Sequence, residues 1–198
     1  MAVEQIQRNP DTTAFQPVAE DSYRRVSLLD PDGHWELHDG MLREKPGMSI
    51  AHGGTTNKLA VVLQNQLGWD EYRVRNNCSR LRISTRRTYI PDIAVVPRAL
   101  DLALWENPYA LELYEAPLPL VVEVWSPTTG GYDIAAKLEN YQLRGDDEIW
   151  YLHPYDRTLT AWVREEDRSY RSQVYRGGTV PSARLPVVAI DLAWLFEP

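Results

Sequence analysis

Tyr89-Ile90-Pro91-Asp92-Ile93-Ala94-Val95-Val96 and, further on, Leu120-Val121-Val122-Glu123-Val124-Trp125-Ser126 decide how this chain is read. Both runs are apolar and rich in β-branched residues, as buried strands are, and each carries one acid. A carboxylate inside an apolar strand is costly unless it is paired or bound to a metal. Asp92 and Glu123 stand 31 positions apart, so neighbouring strands of one sheet would bring them together. Lys137 follows on a helical segment, with Asp133 and Tyr141 four residues to either side and hence on the same helix face. Two carboxylates with the Val124 carbonyl make the oxygen donor set that Mg²⁺ (or Mn²⁺) accepts beside waters and a phosphate oxygen. The competing interpretation is that each acid caps a strand end or pairs with arginine, that Lys137 faces solvent, that Asp133 serves the helix dipole and that Tyr141 is packing.

Working outward, Glu20 to Leu29 forms a short helix that stops before Pro31, and Trp35 to Lys45 a hairpin turning at His38-Asp39-Gly40. Ser49 to Leu67 has the apolar period of a helix and ends at Gly68. Tyr72–Asn77 and Arg80–Ser84 alternate as two paired strands would. Asp101 to Pro117 is an insert of acidic and aromatic residues. After the Leu118–Val124 strand come a turn, a helix over Asp133–Leu143, a buried strand Glu148–His153 and a hairpin to Leu159–Val163. Ser169–Tyr175 is a further strand and Ile190–Phe196 a short terminal helix. The order predicts an α/β fold, a mixed sheet flanked by helices with extra hairpins. Residues 1–19, polar with Pro10 and Pro17, read as a loosely ordered arm, and 20–198 as one domain.

The series Glu36-Leu37-His38-Asp39-Gly40, His52, Pro91-Asp92, Glu123-Val124-Trp125-Ser126, then Asp133, Lys137 and Tyr141, resembles the Uma-type restriction-endonuclease family of the PD-(D/E)XK nuclease superfamily. Glu148-Ile149-Trp150-Tyr151-Leu152 continues the match, which runs roughly from Tyr23 to Leu195. The resemblance implies a restriction-endonuclease-like core and a metal-dependent hydrolase. Asp92, Glu123 and Lys137 would be its catalytic residues, and Asp92, Glu123 and the Val124 carbonyl its metal ligands. In the commonest form of the superfamily the lysine lies two residues after the glutamate. Here Trp125 holds that place, so the resemblance moves the lysine to Lys137. It also places Glu44 and His52 at the pocket border, with a hairpin salt bridge and a helix-start residue as the alternatives.

The composition bounds the rest. A chain of 198 residues with 43% hydrophobic content buries a real core. No apolar run is long enough for a membrane span, and the first twenty residues lack the apolar stretch of a secretory signal. The single cysteine, Cys78, excludes an intramolecular disulfide and a cysteine-based zinc cluster. A cytoplasmic protein with no membrane partner is the expectation. The net charge of −7 argues mildly against a nucleic-acid partner, yet Tyr72 to Ile90 holds six arginines and no acid. Arg80, Arg82, Arg86 and Arg87, next to the Pro-Asp strand, are candidates to grip phosphates without reading bases. Pairing with acids such as Asp101, Glu112 and Glu115 is the alternative. A metal-dependent endonuclease acting on DNA, a homodimer through the insert residues Trp105, Tyr109, Leu111, Leu113 and Tyr114, is the expected function. Its rival is a nuclease-like fold kept as a non-catalytic binding or assembly module.

Overall fold

The computed structural model describes residues 16–30, 32–127 and 130–198, without the side chains of 130–134. Most of the expected arm, residues 1–15, lies outside that range. Helix α1 (Glu20–Leu29) precedes the hairpin β1 (Trp35–His38) and β2 (Met41–Glu44), then helix α2 (Ile50–Gln66). Strands β3 (Tyr72–Asn76), β4 (Arg80–Ser84), β5 (Arg87–Tyr89) and β6 (Ile93–Pro97) follow. The insert folds into helix α3 (Arg98–Trp105) and the two-residue strand β7 (Leu113–Tyr114). Strand β8 (Leu120–Val124), helix α4 (Gly130–Arg144), β9 (Glu148–His153), β10 (Thr158–Arg164) and β11 (Tyr170–Tyr175) come next. The last elements are β12 (Thr179–Pro181), β13 (Ala189–Asp191) and α5 (Leu192–Leu195).

Among the described residues the strands form a six-stranded sheet ordered β11-β10-β9-β8-β6-β3, a five-stranded sheet ordered β2-β1-β5-β4-β7, and the small β12-β13 pair. The larger sheet is mixed: β8 and β9 run parallel around the α4 crossover, and its other pairs are antiparallel. One face packs Leu59 and Leu63 of α2, with Leu192 and Leu195, against Ile93, Val122 and Trp150. The opposite face packs Ala94, Val121 and Ile149 against Tyr141 of α4 and Leu81, Tyr89 and Tyr114 of the smaller sheet.

The sheet partition corrects one expectation. Tyr72–Asn77 and Arg80–Ser84 do not pair with each other: β3 pairs with β6 and β4 with β5 and β7. Asn77 takes a positive φ of 54° and its N–H donates to the Asp92 carbonyl, so the chain leaves one sheet for the other there. It crosses back at Ile90-Pro91-Asp92, which splits the expected Tyr89–Val96 strand into β5 and β6. Proline has no N–H to give to a ladder. The hairpin turn Asp39-Gly40 has positive φ at both residues, as a tight two-residue hairpin requires. At Gly40 a Cβ would also come within 2.6 Å of Pro17.

In the insert, Leu113 and Tyr114 are buried through β7, whereas Trp105 and Tyr109 are 72% and 82% exposed. Among the described residues no helix is long and apolar enough to cross a membrane.

Candidate active site

Where the two sheets meet, six separate segments bring ionisable side chains into one buried cluster. Ile93 pairs with Val122, and the same antiparallel register continued by one residue sets Asp92 opposite Glu123. Directly opposed residues project to the same face, here the one that α4 covers. Asp92 is 1% exposed and Glu123 7%. Asp92 Oδ1 accepts from Lys45 Nζ at 2.7 Å, while Oδ2 accepts from the Val124 N–H at 2.6 Å and meets His52 Nε2 at 3.0 Å. His52 reaches it because Ser49 caps α2, accepting from the His52 N–H and fixing the first turn against the sheet end.

Glu123 Oε1 accepts from Tyr141 Oη at 2.6 Å and lies 3.5 Å from Lys137 Nζ. Among the described residues its Oε2 accepts no hydrogen bond. Lys137 and Tyr141, one turn apart on α4, thus point the same way. Lys137 Nζ also donates to Glu36 Oε1 at 2.8 Å. That same oxygen accepts from the Ile90 N–H at 2.8 Å, and His38 Nε2 sits 2.7 Å from Glu36 Oε2.

The electrostatics follow from three buried carboxylates set against two ammonium groups. Burial opposes ionisation at all three. Lys45 and His52 overcome it at Asp92, whose carboxyl is held well below the usual range. Lys137, His38 and Lys45 overcome it at Glu36, held at about 2. Glu123 is the member left short. Burial, aided by the Asp92 charge and opposed by Lys137, raises it to about 7. Burial and the Glu123 carboxylate together push the Tyr141 hydroxyl well above its ordinary value, so it stays a donor.

Among the described residues, oxygen donors, three carboxylates against two ammonium groups and a Glu123 oxygen that accepts no hydrogen bond suit a hard cation. Among the described residues no three or more His, Cys, Asp or Glu side chains are placed to close on one ion. What the chain offers is therefore a carboxylate pair and a strand end rather than a cage.

The other residues picked from the sequence fall elsewhere. Glu44 is exposed on β2, and its neighbour Lys45 is the one that turns inward. The Asp133 side chain lies outside the described residues. Arg82 pairs with Glu20 at 2.9 Å and Glu115 at 3.4 Å, and Arg80 donates to the Cys78 carbonyl. Arg86 donates to the Asp39 carbonyl and Arg87 to the Asp39 carboxylate. Arg75 meets Asp101 and Glu112, the acid pairing given above as the alternative. Trp125 stacks on His153 with centroids 4.4 Å apart and meets Tyr155 edge-on.

Glu36 and Lys45 join the site beyond the residues to which the sequence points. Glu36 carried the same signal as the other two acids, a carboxylate between apolar strand residues. Lys45, between Glu44 and Pro46, carried none.

The family model described as "Uma2: Putative restriction endonuclease" matches residues 20–194. The chain belongs to the Uma2 family. A solved structure described as a putative nuclease belonging to DUF820, from Anabaena variabilis ATCC 29413, superposes with a TM-score of 0.73 at 16% identity. The superposition covers 91% of this chain and 98% of that one, and at that identity it speaks for the fold. No curated protein matches. The family makes this a nuclease-type chain, with nucleic acid as its implied substrate class.

Proposed function

We propose that this Uma2 chain is a divalent-metal-dependent endonuclease that hydrolyses DNA phosphodiester bonds. The observation that carries the reading is the in-register, same-face placement of Asp92 and Glu123 beside a buried lysine. Asp92 and Glu123 would hold Mg²⁺ or Mn²⁺, with the Val124 carbonyl as a further oxygen. When bound, the ion would lower the pKa of a coordinated water and neutralise charge on the phosphate. The chain's own groups supply the rest. His52, Lys45 and the Val124 N–H fix Asp92 in one orientation. Tyr141 fixes Glu123 by donating to Oε1. Glu36 anchors Lys137 Nζ within 3.5 Å of Glu123, where its charge can orient the attacking water or offset the negative charge that grows on the phosphate. Arg86 and Arg87, at the hairpin end, would hold the backbone. Trp105 and Tyr109 offer an exposed aromatic edge for a two-fold partner, as suits cutting both strands. A monomeric mass by light scattering at micromolar concentration would remove the dimer.

The non-catalytic alternative is favoured by one observation: Lys45 and Lys137 already compensate most of the buried negative charge without an ion. Cleavage assays with Mg²⁺ and Mn²⁺ on single- and double-stranded DNA and on RNA decide between them. The wild-type chain should cut DNA only with a divalent ion, and Asp92→Asn and Glu123→Gln should abolish both cutting and ion binding. Lys137→Ala should lower the rate 10²–10³-fold, about 3–4 kcal/mol, with ion binding nearly intact. Lys137→Arg should rescue poorly, because a forked guanidinium does not replace a point charge. Ion binding without cleavage in the wild type would select the alternative.

A further inference from the structure

Lys45 follows β2, on neither carboxylate-bearing strand, yet its side chain is only 9% exposed. Its Nζ touches three oxygens: Asp92 Oδ1 at 2.7 Å, Asn77 Oδ1 at 2.7 Å and the Ile90 carbonyl at 3.0 Å. An ammonium has three N–H donors, and all three are used. A carboxylate, an amide and a backbone carbonyl around one point charge is the shell that proteins build for a hard cation. The distances exceed the 2.0–2.6 Å that Mg²⁺ and Ca²⁺ require, so the seat is sized for an ammonium. It is also held rigidly. Asn77 sits where the chain changes sheets, its N–H tied to the Asp92 carbonyl, and Ile90 is tied through its N–H to Glu36.

We propose that Lys45 is a resident cation: its ammonium fills a three-oxygen cation seat beside Asp92, so that the site takes one divalent ion, on the Glu123 side, rather than a pair. Two-metal hydrolytic sites place their ions about 3.5–4 Å apart, commonly about a shared carboxylate. Here Lys45 holds Oδ1 of Asp92, which leaves Oδ2, beside His52 and the Val124 N–H, as the oxygen for the one ion shared with Glu123. A second ion would have to displace a charge tethered to the chain, whose effective concentration is on the order of millimolar or higher. The single-ion half of the proposal rests on the metal-dependent reading above, whereas the seat itself does not.

The test combines counting and replacement. Titration of the wild-type chain with Mn²⁺, followed by electron paramagnetic resonance of free ion, should give one bound ion per chain. Lys45→Ala empties the seat, so ammonium chloride should raise its melting temperature over an equal concentration of sodium chloride. A shift of about 3 °C corresponds to a ligand near ten times its Kd in a domain of this size. The wild type, whose seat Lys45 already fills, should not respond. If Lys45→Ala does not fold in sodium salts, recovery of structure by circular dichroism in ammonium salts alone reads the same seat. Two Mn²⁺ ions in the wild type, or a Lys45→Ala chain indifferent to ammonium, would overturn the proposal. An ammonium response with no Mn²⁺ bound and no cleavage would keep the seat and defeat the nuclease reading. One ion with cleavage but no ammonium response would do the reverse.

Discussion

The two ends of the parallel β8–β9 pair each bury a glutamate, and the two are treated in opposite ways. Glu148, 1% exposed at the start of β9, accepts from Trp150 Nε1 at 2.7 Å and Ser182 Oγ at 2.6 Å. It also takes the N–H groups of Ala183 and Arg184 at 3.0 and 3.1 Å. Glu123, near the end of β8, meets one hydroxyl and one more distant ammonium. Residue type, burial and sheet are the same, so donor supply makes the difference. Four neutral donors, two of them from a backbone turn, make Glu148 an anchor that pins the chain beyond β12. A carboxylate with an oxygen that no described residue fills, beside a second carboxylate, still has capacity for a cation.

The largest expected effect breaks that contrast at its structural end. Glu148→Ala strands several buried donors, each costing about 1–3 kcal/mol when unsatisfied, so urea unfolding should show a loss of at least about 3 kcal/mol. Glu123→Gln should do the opposite, losing function without losing stability. Stability against pH sharpens the point in ion-free protein. Glu123 is raised from 4.5 to about 7 when folded, so the folded chain holds that proton more tightly than the unfolded one. Its favourable contribution is fully present below about 4.5 and lost as pH rises through about 7. Asp92, held low, behaves inversely: its contribution is present above the ordinary carboxylate range and lost as pH falls below it. Glu123→Gln should therefore gain on the wild type between about pH 5 and 8, by on the order of 3 kcal/mol. A difference that stays flat over that range would mean that Glu123 is not short of partners.

The smallest effect extends the same distinction to the arginines. Arg82 already serves Glu20 and Glu115, whereas the exposed Arg86 guanidinium donates to the Asp39 carbonyl. Neutralising Arg86 and Arg87 should flatten the dependence of log K on log salt by about 1–2 in slope, at roughly 0.9 per lost phosphate contact. Neutralising Arg80 and Arg82 should leave the slope and cost about 1 kcal/mol of stability or less. An unchanged slope in the Arg86–Arg87 variant would assign the whole set to structure.

Most elements were legible in the sequence because their signals are local. The β-branched run of β8, all of it buried, and the helical period of α2 need no knowledge of neighbours. The separation of β3 from β4 was not legible, because alternation shows that a strand has two faces and not which strand lies beside it. Within the site, the acids of β6 and β8 stood out against apolar neighbours. Lys45 could not, since its burial is created by Asn77 and Ile90, which pack against it only in the folded chain.

The cluster draws on β1, the end of β2, α2, the start of β6, β8 and α4, and its longest bond, Lys137 to Glu36, spans 101 residues. Contacts so distant in sequence form late, because loop closure is paid for before they give anything back. Until α4 docks, Glu36 and Glu123 have no lysine to meet, and burying them would be unfavourable. The site is therefore expected to assemble among the last events of folding, and opening any one of its six segments would break it. A chain with the power to cut nucleic acid would hold that power only once it is wholly folded.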